Sequence, residues 1–145
     1  MKYILLVAGI FLGQAAFAAA DAVVITDSGS TNAAGFRIDV DQSGDGVYTP
    51  KPRRPSQLTD EQQQPRKRRI SADLIKRFYA DLDAAKPFSG LPNQGCMKSA
   101  SFGTTLVLEY LSEKTPDLSC GDRGSAKLKS LIQSTNAIIK VFDNP

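Results

Sequence analysis

The sequence predicts an α+β fold: a small antiparallel sheet packed by two amphipathic helices and stapled by one disulfide. Three observations carry this. Residues 72–86 and about 126–142 repeat apolar side chains at helical spacing. Several short stretches alternate apolar and polar residues, the period of a half-buried strand. The chain has two cysteines, Cys96 and Cys120. Helices and strands that are each apolar on one side bury those sides by laying helices on one face of a sheet.

The first twenty residues read as a leader rather than as part of that fold. Lys2 gives a basic start, Ile4 to Gly13 form an uncharged apolar stretch of ten residues, and Ala16-Phe17-Ala18 and Ala18-Ala19-Ala20 fit the small-x-small cleavage rule. Cleavage is expected before Ala19 or Asp21. Ten helical residues reach about 15 Å, half of a hydrocarbon core, so a membrane anchor is a poor reading. No later stretch has the length and apolarity of a spanning helix. The chain is therefore expected to be exported, periplasmic or secreted, with residues 21–145 forming one domain.

The elements follow in order. Ala22–Thr26 is a β-branched run that ends in the loop Asp27–Gly35. Phe36, Ile38 and Val40 alternate with Arg37, Asp39 and Asp41 as a strand, residues 42–46 (QSGDG) are turn chemistry, and Val47-Tyr48-Thr49 is the partner strand. Residues 50–65 hold four prolines and three consecutive glutamines, so a flexible Pro/Gln/basic loop is expected there. A helix follows with Ser71 as N-cap, Asp73 in the first turn and Ile70 and Ile75 at staple positions. Its apolar face is Leu74, Phe78, Leu82 and Ala85, and Pro87 stops it. Thr104–Tyr110 reads as a strand, residues 112–117 (SEKTPD) as a turn, and Leu118–Cys120 as a return. From about Ala126, Leu128, Leu131, Ile132, Thr135, Ile138, Ile139 and Phe142 form a helical stripe.

Charge and composition narrow the function. The chain has 18 Lys+Arg and 15 Asp+Glu; Lys2 leaves with the leader, so the exported part carries +2. Seven cations against Asp60 and Glu61 lie within residues 51–69, which leaves the rest of the exported chain slightly acidic. With no histidine, His-dependent triads, His-ligated metals and His pH switches are excluded. An even cysteine count in an oxidising compartment points to a Cys96–Cys120 disulfide, because neither a C-x-x-C spacing nor a histidine partner supports a reactive thiol.

Two loops carry possible chemistry. Asp27-Ser28-Gly29-Ser30 resembles the aspartic-protease signature, and a hydrolase of that kind would use Asp27 in a pair of carboxylates sharing a proton. Too few residues precede Asp27 for the hairpin of that family, Thr26 replaces an apolar residue, and two strong helices fit a mostly-β protease badly. An ordinary turn explains the motif better, with Asp27 accepting a backbone N–H from Gly29 or Ser30. Residues 41–48, D-x-S-x-D-G, resemble the first part of an EF-hand calcium loop. Pro52 stands where the bidentate Glu belongs, and a β-turn accounts for the same residues. No catalytic set, metal or cofactor is expected.

The basic run Arg66, Lys67, Arg68 and Arg69 is the remaining candidate. It suits an anionic envelope component or another exported protein, or else it is a solvated edge leading into the helix. No aromatic lies between Tyr48 and Phe78 to stack bases, which disfavours nucleic acid. In layout the chain resembles small exported bacterial proteins of unknown function. The likeness is carried by the early strand pair, by ISADLIKRFYADLDAAKPF, and by GCMKSASFGTTLVLEYLSEKTPDLSC before a final helix. That resemblance implies the architecture and the disulfide, and no activity. The expected function is a non-enzymatic binding or structural domain.

Overall fold

Among the described residues six strands pair into one antiparallel sheet, because each of them offers alternating apolar side chains, a turn-rich neighbour, or an edge to extend. The structure is a computed structural model and describes residues 21–143; the expected leader lies outside the described residues. The strands are β1 (Val23–Asp27), β2 (Gly35–Val40), β3 (Asp45–Lys51), β4 (Arg66–Arg69), β5 (Leu106–Tyr110) and β6 (Glu113–Lys114). Among the described residues the helices longer than one turn are α1 (Ala72–Ala85) and α2 (Ala126–Asp143). The strand order is β4-β3-β2-β1-β5-β6, so the strand nearest the amino end lies inside the sheet.

The register puts one set of alternating side chains in the core. Ile25 lies opposite Ile38 and Leu108, and all three are buried. The intervening residues Val24, Thr26, Arg37, Asp39 and Val47 are partly exposed and project to the other face. Side chains of both helices reach the buried set. The Tyr79 hydroxyl of α1 lies 3.0 Å from the Val40 carbonyl and 3.0 Å from that of Asp21, and its ring meets Tyr110 edge-on. Phe142 of α2 stacks on Tyr48. Gly46 makes room for that ring, since a Cβ there would lie 2.7 Å from Phe142 Cζ.

Local structure departs from expectation at three places. Residues 66–69 form a strand, although nothing apolar alternates in them. Leu118–Cys120 is a 3₁₀ turn, and the return strand is the two-residue β6 instead. Ser71 stands at the N-cap of α1 but its hydroxyl makes no capping bond. At α2, Ser125 Oγ accepts the Leu128 N–H at 3.3 Å. Cys96 and Cys120 are joined, and no described cysteine is free.

Between β3 and β4, Pro55–Gln57 makes a 3₁₀ turn. Gln57 Oε1 accepts the Arg53 N–H at 2.6 Å, while its Nε2 donates to the Ser30 and Thr31 carbonyls, both at 3.1 Å. One amide thus ties this connection to the loop after β1. Among the described residues no helix is long and apolar enough to cross a membrane.

Candidate functional site

β4 is held at the sheet edge by its pairing with β3. Arg69 lies opposite Asp45, Arg68 opposite Gly46, Lys67 opposite Val47 and Arg66 opposite Tyr48. The Ile70 N–H donates to the Gly44 carbonyl at 2.8 Å, which sets the parity of the ladder. In an antiparallel pair the hydrogen-bonded positions alternate, so Arg68 and Arg66 bond inward to β3. The backbone groups of Lys67 and Arg69 then point outward, and no described strand lies beyond them.

The four side chains divide between the faces. Arg66 and Arg68 share the side of Gly46 and Tyr48, where the Arg66 guanidinium lies 4.3 Å from the Tyr48 ring centre. Its Nε is buried and has no hydrogen-bond partner among the described residues. Lys67 and Arg69 share the other face with Val47 and Asp45 and are exposed; Arg69 Nη1 reaches Asp45 Oδ1 at 2.6 Å. Beside them an open concavity of about 820 Å³ is lined by Asp39, Asp41, Asp45, Val47, Lys67 and Arg69, among others.

The two loops are built as turns. Asp27 Oδ1 accepts the Gly29 N–H at 2.7 Å, the bond expected of a local turn. Gly29 has φ of +62° and packs so closely on Gly35 that a Cβ would lie 2.3 Å from its nitrogen. The buried Ser30 hydroxyl accepts N–H groups from Asn32 and Ala33. Asp41 Oδ1 accepts from Ser43 Oγ at 2.6 Å and from the Asp45 N–H at 3.0 Å, closing the hairpin. Burial alone would raise the Asp41 pKa, yet these bonds hold it below the ordinary carboxylate range. Among the described residues no group of three or more acidic or cysteine side chains is placed to hold a metal ion.

One cluster went unnoticed in the sequence. Asp117 Oδ1 accepts from the Leu106 N–H at 3.1 Å, the Ser119 N–H at 3.0 Å and Ser119 Oγ at 2.7 Å, while Oδ2 pairs with Lys98. Burial pushes this carboxyl up and the bonds from Lys98 and Ser119 more than offset it, leaving its pKa lowered. The Lys98 ammonium also donates to the Thr104 carbonyl and to Thr105 Oγ1. The cluster anchors the disulfide-bearing loop to the start of β5. Its only signal in the sequence was an Asp just before a short turn. Compared with family models, with curated proteins and with solved structures, the chain matches none.

Proposed function

We propose that this chain is an exported, non-enzymatic binding domain of the envelope or secretion space that takes an anionic partner on its basic edge. In this reading the two helices pack one face of the sheet and leave the other face and the β4 edge to the partner. The observation that carries it is β4, where four consecutive cations line an outer strand. The carboxylates singled out as centres of chemistry have other work. Asp27 and Asp41 close turns, and Asp45 pairs with Arg69. Export rests on the leader-like residues 1–20.

The test is retention of the mature protein on immobilised heparin or polyglutamate at low salt. Lys67→Glu with Arg69→Glu should elute at clearly lower salt with unchanged circular dichroism, because surface attraction is screened within about 10 Å at 0.1 M salt. Passage of the wild-type protein without retention removes the reading. So does equal retention of the variant.

A further inference from the structure

We propose that the partner is an extended acidic peptide segment of another exported protein, which adds to β4 as a seventh strand; this rests on the anion-binding reading above. Two features of the edge carry it. The first is backbone chemistry. By the parity fixed at Ile70 and Gly44, Lys67 and Arg69 present their N–H and C=O groups outward. A peptide strand satisfies such groups, whereas a polysaccharide or a lipid headgroup engages side chains.

The second is the placement of charge. Arg66 and Arg68 lie on one face of the sheet and Lys67 and Arg69 on the other. A flat anionic surface meets one of these rows. A strand laid along the edge runs between them and places its own alternating side chains beside both. Cations at every position of β4 therefore match carboxylates on either face of the incoming strand. The same charges oppose a second copy, because pairing β4 with β4 would bring eight cations into adjacent strands. At the far edge, β6 has two residues of opposite charge, Glu113 and Lys114, and offers no such match.

The experiment uses the full mature chain and two end-blocked seven-residue peptides of alternating Glu and Thr, one of them N-methylated at every residue. The methylated peptide keeps the charge and loses the N–H donors. The unmodified peptide is expected to bind at least tenfold more tightly. At saturation it should slow hydrogen exchange of the Lys67 and Arg69 amides at least tenfold, with no comparable change at Arg66 and Arg68. Equal binding of both peptides without that slowing overturns strand addition while leaving the basic edge as an anion site. Heparin retention without binding of either peptide overturns it in favour of a polysaccharide. If heparin retention is also lost, the anion-binding reading falls with it.

Discussion

Asp117 is the residue on which most local order converges. It takes three hydrogen bonds on one oxygen and Lys98 on the other, and its pKa is lowered in the fold. The folded state therefore binds its proton less readily than the unfolded chain, whose aspartates titrate at about 3.9. The stability this gives is complete above that value and is lost as the pH falls through the lower folded pKa. Asp117→Asn should lower the denaturation midpoint at pH 6 and flatten its decline between pH 5 and 2; an unchanged acid limb would mean that other carboxylates set it. Asp27 should behave differently. Its bond from the Gly29 N–H is local, so Asp27→Asn is expected to shift stability by about 1 kcal/mol or less, the scale of a single hydrogen bond. The variant should also leave no difference in proteolysis of an acid-denatured protein between pH 3 and 7. An activity lost with that substitution would restore the hydrolase reading.

Elements differ in what their sequence could announce. The α2 stripe from Leu128 to Phe142 was legible because a helix facing a core must repeat apolar residues every three or four positions, and all of these side chains are buried or partly buried. Strands β2 and β5 were legible by the same logic at period two, and β1 as a run of β-branched residues. β4 was not, since a strand of four cations owes its existence to pairing with β3 and shows no pattern of its own. Nor was the Gln57 tie, because any polar side chain in a loop looks solvated until its partners are seen. The disulfide could be read by elimination, the Lys98–Asp117 cluster only from the folded chain. These differences predict graded costs. Leu131→Ala, which empties a fully buried site, should cost about 2–5 kcal/mol in chemical denaturation. Gly46→Val forces a side chain against Phe142 and should cost about 1–3 kcal/mol. Gln57→Ala releases exposed or partly buried carbonyls and should cost about 1 kcal/mol. A Gln57 cost equal to that of Leu131 would show that the connection from β3 to β4 is part of the core.

For the whole molecule, the Cys96–Cys120 link spans a separation of 24 residues and encloses β5 and β6. Loop entropy assigns such a link about 3 kcal/mol. Thiol titration of the denatured, unreduced protein should find no free thiol, and reduction should lower the unfolding free energy by about that amount. The strand order has a further consequence, one of timing. β1, β2 and β3 can zip together as neighbours, but the second edge of β1 waits for β5. A chain delivered amino end first, from a ribosome or through a membrane pore, thus carries a half-finished sheet for most of its synthesis. Along that waiting edge lie Val23 and Ile25, with no cation in β1 to repel a neighbour. A product arrested before Leu106 would keep the edge bare for good, so clearance by proteases or cover by a holding chaperone becomes a condition of producing this protein cleanly.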